Sequence, residues 1–310
     1  NDGLITRCAG KGTFVNKRSQ LQIVKPHKHQ GLIGAIVYDT SHHSLWARAL
    51  RGIEDALQIN GYNLIIGNDD GNFPKAINYI SDFASLKIDG LIFVPIGCVN
   101  KEEYENKNYE LVEKIESYGI PYILFHRLLN MYNTASVTLD DYNSTYQLIN
   151  KFVKKRKIRN PLCLSHYYTS CTAIREQGFI DALNDCGYKN PEQYVYRIQP
   201  TGQITDSNVS DQIIEILTNN SKVDGIFAVE NDILTVALDI IYKNDDFHNK
   251  KIQFSCFDYS GTIDSEVVKD IMDVPIYEMG AYAGEMILQK LNSDKFFNHK
   301  IQFYSSFRSR

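Results

Sequence analysis

Five positions carry residue types suited to holding an uncharged polyol. Trp46, the only tryptophan of the 310-residue chain, lies in YDTSHHSLW, just past the apolar run LIGAIVY. His126, followed by Arg127, closes the run PYILFH; Arg175 stands in TAIREQGF; Asn231 follows DGIFAV within Glu230-Asn231-Asp232; and Asp258 follows IQFSCF. An amide, a carboxylate and a guanidinium exchange hydrogen bonds with hydroxyls, and an indole stacks on the apolar face of a sugar ring. Burying hydroxyls without partners is costly, so such a set also selects its ligand. Each residue has a plainer reading. Trp46 can anchor a core, His126 can be a satisfied polar residue at a strand end, Arg175 can be a solvated helix charge, and Asn231 or Asp258 can cap a helix.

The elements that must position them alternate. LIGAIVY, NLIIG, GLIFVP and PYILFH read as buried strands. Between them, Ser44 to Asn60 keeps Leu45, Ala49, Ile53, Ala56 and Leu57 on one helical face, with Gly61 as its stop. FPKAINYISDFASL is a second helix with Pro74 in its first turn, and Tyr109 to Tyr118 belongs to a third. After a break at 128–140 the rhythm returns: strands PLCLS, DGIFAV, IQFSCF and IQFYSS, with helices over 142–154, 171–185, 211–219, 232–243 and 277–291. KIDGLIFVP (87–95) and KVDGIFAVE (222–230) each place Asp-Gly before a buried strand, at equivalent points of two similar halves. The expected fold class is α/β: two doubly wound parallel-sheet lobes with a hinge and a ligand cleft. In open α/β sheets ligands bind outside the carboxyl ends of strands, so the cleft between the lobes is where a ligand is expected.

Composition narrows the function. Residues 1–30 hold Arg7, Lys11, Lys17, Arg18, Lys25 and Lys28 against Asp2 alone, while the whole chain carries −4. Only that opening segment suits a polyanion. The six cysteines include no C-x-x-C pair, which points to reduced thiols in a cytoplasmic protein. Apolar runs are strand-length, so no membrane span is expected, and residues 1–30 lack the apolar stretch of a signal peptide. No nucleophile elbow, H-E-x-x-H, dinucleotide loop or metal spacing is present, so no enzyme, cofactor or metal is expected. The acidic pair Asp140-Asp141 in TLDDYN reads as a strand end capping the next helix, and His27, His29, His42 and His43 form the only histidine cluster.

Residues 31–310 resemble the effector-binding module of LacI/GalR-type transcription regulators, itself similar to periplasmic sugar-binding proteins. The matching phrases run in the family's order and include IGAIVYDTS, RGIEDALQINGYNLIIGNDDGN, IDGLIFVP, GIPYILFHR, VTLDDYNSTYQLI, AIREQGFIDAL, GIFAVENDILTVALDII, IQFSCFDYS and VPIYEMGAYAGEMILQKL. The resemblance gives Trp46 the stacking role, Arg175 of the R-x-x-G-F phrase a grip on hydroxyls, and Asn231 and Asp258 polar ligand contacts. It departs from the family where Glu230 replaces Ala, Cys256 and Tyr259 flank the motif Asp258, and Val274 stands where Gln is common. His126 takes the place of the family's Asp, which changes the hydroxyl pattern. Val274 offers a less polar wall, as for a pentose or deoxyhexose such as arabinose or fucose. The resemblance also implies three crossings between lobes, near 128–136, 260–272 and 292–300. These give lobe 1 as about 31–128 and 270–292 and lobe 2 as about 136–260 and 298–310. A homodimer follows from the same likeness.

The opening GLITRCAGKGTFV looks like the wing hairpin of a GntR-type winged helix-turn-helix domain, through its G-L-I-x-R and G-K-G-T-F-V phrases. On that likeness residues 1–18 are a remnant wing and 19–30 a linker, with Arg7 and Lys11 as DNA contacts and Lys11 at the tip reaching phosphate. The combination is that of arabinose-repressor-like regulators: a sugar effector alters affinity for operator DNA, with release of DNA, hence repression, as the family precedent. A stand-alone or exported sugar-binding protein is the alternative.

Overall fold

The computed structural model describes residues 5–8, 12–15, 31–40, 45–130, 132–199, 207–244, 247, 251–259, 267–293 and 297–309. Near the start, β1 (Ile5–Cys8) pairs antiparallel with β2 (Gly12–Val15), Arg7 opposite Thr13. This is the hairpin expected there; Lys11 lies outside the described residues, as do His27, His29, His42 and His43.

The rest builds two six-stranded sheets. The first contains β3 (Gly31–Val37), β4 (Tyr62–Asn68), β5 (Gly90–Phe93), β6 (Tyr122–His126), β7 (Ser136–Leu139) and β13 (Lys300–Phe303), in the order β13-β7-β6-β5-β3-β4 and parallel throughout. The second contains β8 (Pro161–Ser165), β9 (Val195–Arg197), β10 (Gly225–Ala228), β11 (Gln253–Phe257), β12 (Val268–Asp273) and β14 (Ser306–Ser309), in the order β14-β12-β11-β10-β8-β9. Only its edge pair β12–β14 is antiparallel. The two orders correspond strand for strand, so the internal likeness of the halves is a likeness of topology.

The repeated Asp-Gly has a shared physical task. Asp89 accepts the Leu32 N–H at 2.7 Å, and Asp224 accepts the Arg159 and Asn160 N–H groups at 2.8–3.1 Å, so each carboxylate staples the start of the neighbouring strand. The glycine then enters a crowded strand start: a Cβ at Gly225 would sit 2.6 Å from Ile158 Cγ2.

Helices cover both faces. In the first lobe lie α1 (Leu45–Ile59), α2 (Phe73–Ser85) and α3 (Lys101–Ser117); in the second, α4 (Asp141–Arg156), α5 (Ser170–Asp185), α6 (Ser207–Asn219) and α7 (Asn231–Lys243). The last helix, α8 (Ile276–Asn292), returns to the first lobe and packs against α1 at glycine-permitted distance. A Cβ on Gly280 would lie 2.2 Å from the Ala49 carbonyl oxygen, and one on Gly52 2.1 Å from that of Tyr277.

The crossings fall one strand later than the sequence suggested. Ser136–Leu139 and Lys300–Phe303 belong to the first sheet by hydrogen bonding, whereas Val268–Asp273 belongs to the second. The chain therefore crosses between Leu139 and Asp141, at 274–275 and at 304–305. The first and third crossings are tied together. Asp140 N–H donates to the Phe303 carbonyl at 2.8 Å, and Ser305 Oγ lies 2.6 Å from Ser144 Oγ. Asp140 also caps α4 by accepting from Asn143 N–H, the structural role read for that acidic pair.

Candidate ligand-binding cleft

A cavity of about 370 Å³ lies between the carboxyl ends of the two sheets. Trp46, His126, Arg175, Asn231 and Asp258 all line it, and so does Val274. Trp46 and Val274, 228 positions apart in sequence, thus converge on one space.

His126 ends β6 and Asp258 directly follows β11, strands in corresponding places of the two sheets. Both have left-handed backbone, with φ of 65° and 51°. Such conformations cost of order 1–3 kcal/mol for non-glycine residues and cluster at functional sites. They turn the two chain ends into the cleft.

The first lobe presents aromatic and incompletely bonded groups. Trp46, in the first turn of α1 and 6% exposed, sets its ring edge-on to Phe125 and His126, with centroids 6.4 and 5.1 Å apart. His126 is 4% exposed, and both ring nitrogens lack a hydrogen-bond partner among the described residues. Burial, reinforced by Arg175 and Arg127, lowers its pKa to about 3, so the ring is neutral and offers one donor and one acceptor. The Arg127 guanidinium lies 5.9 Å over the Trp46 ring and donates to the Pro95 carbonyl at 2.8 Å, while its buried Nε has no partner among the described residues.

The second lobe presents groups already paired. Arg175 is 3% exposed, which removes the solvated-helix reading. Its Nε donates to Asp141 at 2.7 Å, one terminal nitrogen donates to the Val229 carbonyl at 2.6 Å, and its plane lies 3.9 Å over Phe257. Burial lifts the Asp141 pKa to about 6 against the pull of Arg175. Glu230 meets His166 Nε2 at 3.1 Å; burial opposes its charge, but His166, Arg127 and Arg175 outweigh it and hold the carboxyl well below the usual range. Arg308 makes a bidentate pair with Asp273 at 2.6 and 2.7 Å. Asp258 is paired across the cleft with Arg48 of α1.

Sequence reading did not select Tyr38, Arg48, Glu230, Asp273 or Arg308 as wall residues. Tyr38 and Glu230 end strands and shared the signal that found their neighbours. Arg48 and Arg308 carry no local pattern; an arginine on a helix or edge strand is ordinarily solvated. No group of three or more His, Cys, Asp or Glu able to hold a metal occurs among the described residues, and no helix there is long and apolar enough to cross a membrane.

A family profile described as periplasmic binding proteins and the sugar-binding domain of the LacI family matches residues 30–305. The chain belongs to this family. Among its relatives, catabolite control protein A of Priestia megaterium is 22% identical over 286 residues, covering 88% of this chain and 81% of that protein. The arabinose metabolism transcriptional repressor of Halalkalibacterium halodurans is 22% identical over 305 residues, covering 95% of this chain and 77% of the repressor. A solved structure of the transcriptional regulator CelR in complex with cellobiose superposes with a TM-score of 0.75 at 15% identity, over 92% of this chain and 85% of that one. The LacI-family fold, two parallel six-stranded lobes, is thereby shown, and the relatives are transcriptional regulators, not enzymes. The chain is accordingly the sugar-responsive effector domain of a LacI-family transcriptional regulator.

Proposed function

We propose that the cleft binds a small neutral sugar, a pentose or deoxyhexose such as arabinose or fucose, and that binding alters the affinity of a DNA-binding head for its operator. Trp46, His126, Arg175, Asn231 and Asp258 are the ligand contacts. The observation that carries the choice of an uncharged ligand is the balance of charge on the inner wall. Its four arginines, Arg48, Arg127, Arg175 and Arg308, stand among five carboxylates, Asp39, Glu230, Asp232, Asp258 and Asp273, and Arg48, Arg175 and Arg308 are ion-paired with Asp258, Asp141 and Asp273. A phosphate would enter a wall with no excess of positive charge, whereas hydroxyls find donors and acceptors in place. Val274, 6% exposed, supplies the apolar spot for a methyl or bare methylene.

The head is of GntR winged type, ending in the hairpin of residues 1–18, with Arg7 and Lys11 against DNA phosphate. The β1–β2 pairing supports it, and so does the arabinose-repressor match: an alignment covering 95% of this chain cannot be confined to residues 31–310. The protein acts in the cytoplasm as a homodimeric repressor. Sugar and operator favour different lobe arrangements, and a coupling of about 1–3 kcal/mol changes DNA affinity about 5- to 150-fold. The test is operator binding by the protein with its head, titrated with sugar. Lys11→Ala should weaken binding to all DNA sequences and flatten the salt dependence; an unchanged salt slope contradicts the wing contact.

A further inference from the structure

The net negative charge of the lobes conceals one strongly basic surface. KFVKKRKIRN, residues 151–160, ends α4 and leads into β8 with six cations and no carboxylate. The backbone that carries them is fixed. Lys157 caps α4 in left-handed conformation at φ 56°, Ile158 is buried, and Asp224 holds the N–H groups of Arg159 and Asn160. Of the six cations, Arg156 alone pairs with a carboxylate among the described residues, the buried Asp270 at 2.9 Å. Lys154 donates to Asn150 at 3.1 Å and Lys155 to Ser309 at 2.5 Å, while the exposed side chains of Lys157 and Arg159 bond nothing among the described residues. A helix C-terminus carries about half a negative charge, which one cation answers, so the dipole of α4 does not account for this run.

The neighbouring segments extend the surface. Helices α4, α5 and α6 all end at the pole where β8, β9 and β10 begin. The three stretches leading into those strands, 151–160, 185–194 and 215–224, hold eight lysines and arginines against four carboxylates, Asp185, Glu192, Glu215 and Asp224. Asp224 already accepts from backbone, and Asp185 from the Tyr146 hydroxyl. An open groove of about 320 Å³ lies among Asn160, Tyr194, Asn219 and Lys222. None of the exposed large apolar side chains among the described residues falls in these stretches. A protein partner needs apolar anchors at the centre of its interface, which this surface does not offer. Nucleic-acid interfaces are more polar and far more positively charged, which matches it.

Both sheets turn their carboxyl ends to the cleft, so β3, entered at Gly31, and β8, entered at Pro161, begin at opposite poles of the molecule. We propose that the β8 pole is a second, sequence-independent DNA contact, in which Lys154, Lys157, Arg159 and Lys222 meet phosphates of one duplex and Asn160 and Asn219 donate to it from the groove. A regulator that holds its operator through a head at the β3 pole thereby holds a further stretch of DNA at the other. The contact stands apart from the cleft and does not depend on which sugar fills it.

The test is fluorescence anisotropy of the 310-residue chain with a short labelled duplex of arbitrary sequence, titrated between about 50 and 200 mM salt. Residues 1–30 are basic as well, so two triple variants are compared: Lys154→Gln with Lys157→Gln and Arg159→Gln, and Lys11→Gln with Lys17→Gln and Arg18→Gln. The first should lower the slope of log affinity against log salt by about one per cation removed and weaken binding about tenfold or more at the lower salt. Its melting temperature and any sugar-induced shift should match the parent, because none of the three side chains lines the cleft or pairs with a carboxylate among the described residues. An unchanged slope, or a loss confined to the second variant, overturns the proposal and leaves the run as a solvated helix end. Displacement of the duplex by polyglutamate as readily as by unlabelled DNA overturns it in favour of an acidic protein partner. Neither outcome touches the sugar reading, which fails only if no sugar binds.

Discussion

The two walls of the cleft are finished to different degrees. On the second lobe, Arg175, Glu230 and Arg308 are each held by a carboxylate or imidazole of the same lobe, so their geometry is set before any ligand arrives. On the first lobe, His126 has two buried unpartnered nitrogens and Arg127 one, among the described residues. Also in the first lobe, the buried carboxyl of Asp69, just past β4, spends one oxygen on Gly71 N–H and leaves the other without a partner among the described residues. One lobe is a template and the other an unfinished surface. Unmade hydrogen bonds in a buried site are costly, and a ligand that completes them gains that free energy on closure.

The template breaks most severely. Arg175→Ala leaves Asp141, 4% exposed, without its buried partner, and should cost about 3–5 kcal/mol by urea denaturation as well as sugar binding. Adding Asp141→Asn should restore much of the stability and none of the binding. If Arg175→Ala unfolds at the same urea concentration as the parent, the second wall is not held by its own ion pair.

Asp69 tests the unfinished side through pH. Burial pushes its pKa up to about 7, above the ordinary 3.8, so the folded state holds a proton that the unfolded state releases. Stability from this group is fully present below about pH 4 and is lost as pH rises to 7, roughly 4 kcal/mol in all. His126 acts oppositely: its folded pKa of about 3 lies below 6.5, so it removes stability as pH falls through 6.5. The difference between the parent and Asp69→Asn isolates the first effect, and the variant should gain relative stability between pH 4 and 7. A pH-independent difference would contradict it.

His126→Phe sharpens the contrast further. It keeps an aromatic edge against Trp46 and removes two nitrogens that bond nothing among the described residues. Sugar affinity should fall about tenfold while thermal stability holds or rises slightly, because no existing hydrogen bond is lost. A large loss of stability with unchanged affinity would place a protein partner on the ring. The smallest effect belongs to the bond between the walls: Arg48, with 53% of its side chain exposed, pairs with Asp258, and Arg48→Ala should cost only about 0.5 kcal/mol in chemical denaturation.

Much of this was legible from spacing. Apolar runs such as LIGAIVY and GLIFVP are strands because both sheet faces are covered, and the residues just past them mark the cleft. VKDIMD was not legible as β12, because the buried Asp270 interrupts its apolar pattern; only Arg156, 2.9 Å away and 114 residues earlier, explains the charge. SFRS reads as polar loop, yet pairs as an edge strand. Those two omissions, with β7 read only as a strand end, displaced the lobe crossings by one strand. The ion pairs behind the wall were hidden for the same reason: Arg175 meets Asp141 through tertiary packing, and nothing in TAIREQGF distinguishes a buried arginine from a solvated one.

The most direct measurement of the central claim is a thermal-shift screen of the protein against neutral pentoses and deoxyhexoses, hexoses, sugar phosphates and purines, followed by calorimetry of the best ligand. The account predicts a clear upward shift with a neutral sugar, one ligand per chain, and loss of that shift in Asp258→Ala. A shift with sugar phosphates or purines and none with neutral sugars would contradict the charge-balanced cleft on which the account stands.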